Sequence, residues 1–515
     1  MVASGRTLGL GYFDHPPAAW WLQWGAAHLL GSEAPLAVRA PFIALFALST
    51  WLMFRLGTVI AGSRAGVWAA VAFTLSPVFG VTTGTWVLPD GPLDCALLGA
   101  ALCLVHALGS RGTRWWVGAG VCAGLALFSK YTAILTIGGA FLYLVATPDR
   151  RWFSRPQPYI AAALALAVFS PVIAWNAAHH WASFAFQGDR AVGWRFHPLQ
   201  PFAVWAGEAL FVLPWIWVAM LLAVRGTLTR RARARRPLLQ RAGEVKHRAP
   251  SFTSPALAGE VGEQSSPGEG LLLFLAAPPI ILFSLIALWS SGRVLYHWAA
   301  PGYLMLFPLL GAWLADRPRL ADRASAATAT FVLLALVIVC TQVRLDWLHS
   351  AFARDPDIEA IDWISVRQDL DARGLLAPGT IVGVPEWRDA GKIAYALGPA
   401  FTVTVLNRDA RQFGFVAPES AFVGRPMLIL APEHAERARA HLASRFATIE
   451  TLPPAPIRDA GRTLGEVAVF RTSPLLAPQM QASANTSPAP SGRGTAAQLS
   501  PPSSVPNTAP VFAAK

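Results

Sequence analysis

The fold of this chain is decided by two short stretches, Tyr12-Phe13-Asp14-His15-Pro16-Pro17 and Leu88-Pro89-Asp90-Gly91-Pro92. Each sets a carboxylate beside proline at the edge of a long apolar segment. A carboxylate at a membrane boundary is costly, so it usually faces a cavity and serves a function. One helical hairpin separates the stretches, so both can return to the same side of a bilayer. Beside the tryptophan-rich segment after Pro17, they suggest chemistry on a lipid-linked substrate.

The composition predicts a polytopic membrane protein. Of 515 residues, 54% are hydrophobic and only 14% are charged, against about 25% charged in soluble domains. The 21 tryptophans fit belts at the two membrane interfaces. Much of the net charge of +13 lies in short loops between apolar segments, where it is a topology signal. We therefore expect membrane lipids as partners and no nucleic acid.

Apolar segments long enough to approach the ~20 residues of a spanning helix recur along residues 1–345, the predicted transmembrane domain. A shorter tryptophan-rich segment at 16–30 is predicted to lie in the interface, with a packed soluble-type helix as the alternative. Ten segments are predicted to span, at about 34–60, 65–87, 90–109, 114–129, 131–147, 157–176, 201–225, 270–290, 296–315 and 324–345.

The distribution of Arg and Lys predicts the orientation of these helices. Alternate loops carry most of the basic residues, including the whole stretch 225–250, and the positive-inside rule makes them cytoplasmic. Asp14, Asp90, Lys130 and the loops 177–200 and 291–297 then share the outer face. The helices were placed without using this convergence. It therefore supports both the placement of the spans and the predicted orientation.

Three further regions have their own character. Residues 226–269 begin with an arginine run and continue rich in Ser, Pro, Gly and Glu, which predicts a disordered cytoplasmic loop. Residues 346–475 are more charged and predict a small α/β domain on the outer face, with strands at 380–384, 401–406 and 427–430 and a helix at 433–446. Residues 476–515 predict a disordered tail.

Asp14 and Asp90 are the candidate catalytic residues. Asp14 could bind a metal or orient a sugar, with His15 as a proton or phosphate partner; alternatively, Asp14 only caps the following helix. Asp90 could equally be an ordinary N-cap, and Asp94, one turn further on, is the weaker candidate. Because Asp14 and Asp90 are expected on the same face, the functional interpretation is favoured.

Cationic and hydroxyl groups on the outer face are candidate phosphate ligands. Lys130 and Tyr131 lie between two apolar runs, where the lysine could meet a lipid phosphate or only reach the interface. Arg293 and His297 could grip a phosphate or form a positively charged helix end. Arg190 belongs to the 177–200 loop and is a further candidate.

A divalent metal is a possible cofactor. The adjacent histidines His179 and His180 are a weak metal signal, because zinc normally needs a third protein ligand. Asp14 supplies that ligand only if the fold brings it close, so structural histidines are favoured. The sequence has no Walker loop, GxSxG elbow or CxxC pair, which leaves nucleotide-dependent chemistry unsupported.

An ordered set of motifs resembles the bacterial family 39 glycosyltransferases, relatives of dolichyl-phosphate-mannose protein mannosyltransferases and of the lipid A aminoarabinose transferase. Over about residues 8–345, and more loosely to 470, the set comprises Tyr12-Phe-Asp-His-Pro-Pro17, Pro89-Asp-Gly-Pro92, Gly124-Leu-Ala-Leu-Phe-Ser-Lys-Tyr-Thr132, Trp175-Asn-Ala-Ala-His-His-Trp-Ala-Ser-Phe184 with Gln187 and Arg190, and His297-Trp-Ala-Ala-Pro-Gly-Tyr303.

The resemblance implies a GT-C fold in the bacterial inner membrane. It implies transfer of a sugar, with inversion, from a polyprenyl-phosphate donor to a lipid, glycan or protein acceptor on the periplasmic face. A carboxylate would act as general base, and cationic groups would stabilise the departing phosphate. Asp14 and Asp90, and the phosphate candidates His15, Lys130, Tyr131, Arg190, Arg293 and His297, suit that chemistry.

The chain departs from the family pattern before Tyr12. Relatives have a first spanning helix and a loop with an acidic pair there, whereas this sequence has 11 residues and none is acidic. Either the start codon was placed too late or this is a truncated copy, and a lost N-terminus is favoured because the downstream motifs are intact and in order. We therefore expect the usual general base to be missing from this chain, which leaves Asp14 and Asp90 as candidates for metal or substrate positioning and for support of the acceptor site. A truncated, non-catalytic relative is one alternative, and a transporter or flippase of lipid-linked intermediates is another.

Overall fold

The computed structural model of the protein describes most of the chain. The described residues are 1–110, 112–189, 196–245, 267–290, 294–345, 347, 356–359, 361–432, 435–459 and 461–477. The predicted tail therefore lies almost wholly outside them.

Helices form the N-terminal part of the protein. Their bounds are α1 (Ala18–Leu30), α2 (Pro35–Ala61), α3 (Ser63–Leu75), α4 (Asp90–Ser110), α5 (Thr113–Ser129), α6 (Ala133–Ala146), α7 (Gln157–Ala178), α8 (Ala182–Asp189), α9 (Gln200–Val212), α10 (Pro214–Val245), α11 (Pro267–Ile286), α12 (Ala300–Leu304), α13 (Phe307–Ala315) and α14 (Pro318–Leu345). Each of the ten predicted spans overlaps one or more of these helices.

The helices are more broken than the ten predicted spans. Among the described residues, α2, α4, α7, α11 and α14 are long and apolar enough to cross a membrane, and two bent pairs raise the number to seven. The predicted span 65–87 breaks where Ser76 becomes extended before Pro77, which ends α3 after 13 residues. Helices α5 and α6 have 17 and 14 residues and are separated at Lys130 and Tyr131. The protein is thus a multi-pass membrane protein with several broken helices.

Helix α5 packs against α7 at unusually close range. A Cβ added to Gly120 would lie 2.4 Å from the carbonyl oxygen of Ala161, and one added to Gly124 would lie 2.6 Å from Cβ of Val168. Small residues are how membrane helices bring their backbones together. This contact fixes the end of α5, and Lys130 is the residue directly after that end.

The first part of the predicted cytoplasmic loop is helical. Helix α10 continues from Pro214 to Val245, so disorder is the wrong prediction for residues 226–245. The run of Arg, Ala, Leu and Gln there consists mostly of good helix formers, which extend a helix already nucleated upstream. Residues 246–266 lie outside the described residues.

Helix α1 occupies the predicted interfacial segment and is anchored on one face. Trp20 is buried and stacks on Tyr12 with ring centroids 4.4 Å apart, whereas Leu29 is 88% exposed. Its place in a headgroup layer stays a prediction.

A small α/β domain follows α14. It contains β1 (Ile381–Val384), β2 (Thr402–Val405), β3 (Leu428–Ala431), β4 (Ile449–Asp459) and β5 (Arg462–Thr472), with α15 (Ile364–Ala372), α16 (Trp387–Leu397), α17 (Phe413–Val416) and α18 (Ala435–Leu442).

Its single sheet has the order β2-β1-β3-β5-β4. Strand β1 is parallel to β2 and β3, and β5 is antiparallel to β3 and β4. The three predicted strands and the predicted helix occur close to their expected places, but the long β4–β5 hairpin was not predicted. The loop after β2 faces the helical part and reaches the candidate site.

Candidate active site

Asp90 and Lys130 form a buried ion pair. Asp90 is the first residue of α4, after Pro89, and Lys130 adopts an extended conformation directly after α5. The Lys130 Nζ donates to Asp90 Oδ1 at 2.7 Å, and the two side chains are only 6% and 9% exposed. Because each charge would be costly alone in this environment, the pair is a strong local constraint.

A second carboxyl lies on the same face of α4. Asp94 is 3% exposed, and its Oδ2 accepts a hydrogen bond from Thr83 Oγ1 at 2.8 Å. The spacing of four residues places Asp94 one turn from Asp90. Thr83 therefore supports the acid that the sequence ranked lower.

His15 and His297 complete a cluster around Asp90. Both lie close enough to interact electrostatically with the Asp90 carboxylate, as Lys130 does. His15 precedes α1, and His297 belongs to the 3₁₀ turn Tyr296–Ala299. We call Asp90, Lys130, His15 and His297 the Asp90 cluster. It brings together four of the residues singled out in the sequence, from four separate segments.

Asp14 is engaged by the α/β domain. Its Oδ1 accepts from Arg411 Nη1 at 2.8 Å, and its backbone oxygen accepts from Gln187 Nε2 at 2.5 Å. The neighbouring Phe13 N–H donates to Gln412 Oε1 at 2.9 Å. Arg411 and Gln412 were not found from the sequence, because nothing local marks a polar loop as the partner of a residue almost 400 positions away.

Tyr131 connects the end of α5 to helices α7 and α8. Its hydroxyl lies 2.8 Å from Ser183 Oγ and accepts from Asn176 Nδ2 at 3.4 Å. Asn176 Oδ1 in turn accepts from the Phe184 N–H at 3.3 Å. The hydroxyl therefore has a structural use, and its predicted role at a phosphate stays a prediction.

The metal prediction lacks a ligand set. The His179 ring stacks on Trp175 at 4.2 Å, and its Nδ1 lies 2.8 Å from the Trp175 backbone oxygen. Within the described part of the chain, no group of three His, Cys, Asp or Glu residues could hold a metal ion. Asp14 and His179 thus have no third ligand there, and the Asp14 carboxylate already meets Arg411.

The two remaining phosphate candidates cannot be placed. Arg190 and Arg293 both lie outside the described residues. Their proposed contacts with a phosphate stay predictions.

A buried acid away from the Asp90 cluster was missed. Glu208 of α9 is 2% exposed, and its Oε2 accepts from the Tyr303 hydroxyl at 2.5 Å. Tyr303 in turn accepts from Trp217 Nε1 at 3.2 Å. Helix α9 was read only as an apolar span, although an acid inside such a segment is a signal of its own.

The fold and site can now be set beside known proteins. Residues 14–175 match the family model described as dolichyl-phosphate-mannose-protein mannosyltransferase. ArnT from Cupriavidus metallidurans in the apo state has a similar structure, with a TM-score of 0.56, 15% identity and coverage of 89% of this chain and 88% of that one. ArnT bound to undecaprenyl phosphate gives a TM-score of 0.56, 17% identity and the same coverages.

One further solved structure shows a weaker likeness to this chain. The archaeal oligosaccharyltransferase AglB from Archaeoglobus fulgidus is similar with a TM-score of 0.43 and 14% identity, covering 92% of this chain and 71% of that one. No curated protein matches the chain in sequence.

The fold is that of the GT-C membrane glycosyltransferases, as the resemblance implied. Residues 14–175 match the model of the mannosyltransferase family, and the chain shares the architecture of ArnT.

Proposed function

We propose that the protein is an inner-membrane glycosyltransferase that moves a sugar from a polyprenyl-phosphate donor to an acceptor on the periplasmic face. The acceptor class, whether lipid, glycan or protein, is open. The observation that carries the proposal is the buried ion pair of the Asp90 cluster, in which Lys130 Nζ lies 2.7 Å from Asp90 Oδ1. The family match over residues 14–175 and the bound undecaprenyl phosphate in the similar ArnT structure support it.

The departing lipid phosphate is the reason why positively charged side chains are needed at such a site. During transfer, the acceptor oxygen bonds to the anomeric carbon while the bond from that carbon to the phosphate oxygen breaks. The electron pair leaves with the lipid phosphate, and the acceptor proton passes to a base. Preorganised cationic groups stabilise the negative charge that grows on the phosphate. We assign this task to Lys130, with His15 and His297 as hydrogen-bond donors to the phosphate.

The two candidate carboxylates suit positioning better than proton abstraction. Asp90 meets Lys130 and Asp14 meets Arg411, each at 2.7–2.8 Å, so either acid would have to give up an ion pair to take the acceptor proton. In the proposed mechanism, Asp90 holds the Lys130 side chain in place until the donor phosphate arrives. The phosphate then shares the lysine.

Sugar transfer in proteoliposomes tests the proposal. The wild-type protein should move radiolabelled sugar from a polyprenyl-phosphate donor to an endogenous acceptor extract, with inverted stereochemistry in the product. Lys130→Met should lower the rate by at least about a hundredfold, because a charge that stabilises the leaving group is lost. As a control outside the cluster, Arg230→Gln removes a more exposed Arg–Glu pair with Glu269 and should transfer normally. Absence of transfer by the wild type with every donor tried would refute the proposal.

Glu208 favours one rival function, transport of a lipid-linked intermediate. Its Oε1 has no hydrogen-bond partner among the described residues, and α9 and α10 form a broken span bent by 106°. Buried acids on broken helices are typical of transporters. The rival predicts movement of the donor lipid between leaflets without acceptor, and its loss in Glu208→Gln. If Glu208→Gln keeps full sugar transfer and no leaflet exchange is found, the rival is excluded.

A further inference from the structure

The α/β domain reaches the segment that carries His15. Its loop after β2 places Arg411 against Asp14 and Gln412 against the backbone of Phe13. Phe415 of the same domain packs near Phe13, with ring centroids 5.9 Å apart. The short segment before α1 is therefore held by a domain that begins more than 300 residues later.

The Arg411 side chain is held by several contacts besides the one with Asp14. Its guanidinium lies over the rings of Phe186, at 4.4 Å, and of Trp387, at 4.3 Å. Its Nε donates to Asp409 Oδ1 at 2.9 Å, and the side chain is only 13% exposed. The Arg411 backbone has a φ of 50°, a left-handed conformation that is uncommon for a non-glycine residue. A stacked arginine of this kind is well fixed in orientation.

The opposite side of the segment is fixed by the helical part. Gln187 of α8 donates to the Asp14 backbone oxygen at 2.5 Å, and Phe186 packs on Phe13 with ring centroids 4.8 Å apart. The segment is thus clamped between α8 and the α/β domain. The next residue, His15, lies near Asp90 in the cluster.

We propose that Arg411 is a positioning residue for sugar transfer, which acts through Asp14 to hold His15 in the Asp90 cluster. The proposal rests on the proposed function. It makes the α/β domain part of the catalytic unit, because the domain sets the place of a group that meets the departing phosphate. Arg411 itself touches neither donor nor acceptor in this account.

Kinetics with a defined polyprenyl-phosphate donor separate positioning from simple stability. In Arg411→Gln, kcat should fall about tenfold while KM for the donor changes less than about threefold, since misplaced groups lose more in the transition state than in the ground state. Arg411→Lys should recover part of kcat, because it keeps the charge near Asp14 but loses the stacked guanidinium. In a His15→Ala background, Arg411→Gln should cause no further loss of kcat.

The chain offers a closely matched control. Arg445 bonds Glu419 within the α/β domain, with side-chain exposures of 14% and 28%, against 13% and 23% for Arg411 and Asp14. Arg445→Gln should lower the unfolding temperature about as much as Arg411→Gln and leave kcat unchanged. Both measurements use the whole 515-residue chain in nanodiscs.

The outcomes distinguish the two proposals. Wild-type turnover with a normal kcat in Arg411→Gln overturns the positioning role alone. An equal fall of kcat in Arg445→Gln also overturns it, because the effect would then be general destabilisation. A further loss of kcat in the His15→Ala background overturns the route through His15. Absence of turnover in the wild type overturns the proposed function and this inference together.

Discussion

Asp90 and Lys130 neutralise each other where a single charge would be costly. Both residues were singled out in the sequence because an ionisable group beside apolar chain needs an explanation. Their pairing was not predicted, since 40 residues and two helices separate them. The contact depends on the angle and depth at which α4 and α5 pack, and a linear sequence does not state either.

Replacing one member of this ion pair should destabilise the protein more than replacing both. Lys130→Met leaves Asp90 buried near Asp94, and we expect a loss of about 3–5 kcal/mol in the free energy of unfolding. In the double variant Asp90→Asn, Lys130→Met, no buried charge is stranded, and most of that loss should be regained. Thermal unfolding followed by tryptophan fluorescence measures both. A double variant as unstable as Lys130→Met would contradict the ion-pair account.

The Tyr131 hydroxyl, which the sequence predicts as a phosphate ligand, makes hydrogen bonds within the protein. The sequence offered it as a phosphate donor, and the structure gives its hydroxyl to Ser183 and Asn176. Tyr131→Phe should cost about 1–2 kcal/mol of stability, the usual loss for a buried hydrogen bond. Chemical denaturation of the purified variant checks this value. An unchanged stability would show that the contacts with Ser183 and Asn176 carry little energy.

At the scale of elements, the α5–α7 contact controls where Lys130 lies. Gly120→Ala should destabilise the protein by about 1–3 kcal/mol, because the added methyl meets the Ala161 backbone. The matched control is Gly138→Ala on α6, where a Cβ meets nothing within 4 Å and helix propensity should improve. Unfolding temperatures of the two variants in the same detergent make the comparison. Equal shifts would contradict the close approach of α5 and α7.

Which elements could be predicted depended on whether the signal was local. Helix positions and the break at Lys130 and Tyr131 followed from runs of apolar residues and their interruptions. Strand β4 was missed because it contains Pro453, Pro454 and Pro456, and prolines within a run argue against a strand. The register of β4 with β5 is also irregular between Leu452 and Ala455. The bend at Leu213, which has a φ of 83°, has no local signal either.

For the whole molecule, the sequence predicted that Asp14, Asp90, Lys130 and the α/β domain share one face. The structure brings the domain onto the N-terminal segment, where Arg6 bonds Glu33 at 2.7 Å and the Ala394 backbone oxygen at 2.8 Å. Tyr395 also donates to the Glu33 backbone oxygen at 2.8 Å. These contacts were beyond the reach of composition and charge patterns, because they join distant parts of the chain through single side chains.

The predicted orientation can be tested by labelling. In a variant without the four native cysteines, Glu436→Cys on the α/β domain should react with a membrane-impermeant maleimide in right-side-out spheroplasts. Arg64→Cys, in the first turn of α3, should react only after permeabilisation, because basic residues at such helix ends are retained in the cytoplasm. Both positions are exposed in the protein. The opposite labelling pattern would reverse the topology and move the site to the cytoplasmic face.

The proposed function requires a lipid phosphate to bind at the Asp90 cluster, and affinity measurements in nanodiscs test this. The protein should bind undecaprenyl phosphate at least about tenfold more tightly than undecaprenol, as expected for one or more charge-assisted hydrogen bonds. The double variant Asp90→Asn, Lys130→Met, if it folds as predicted, should lose most of that preference. Equal affinities for the phosphate and the alcohol in the wild type, or an undiminished preference in the folded double variant, would contradict the account.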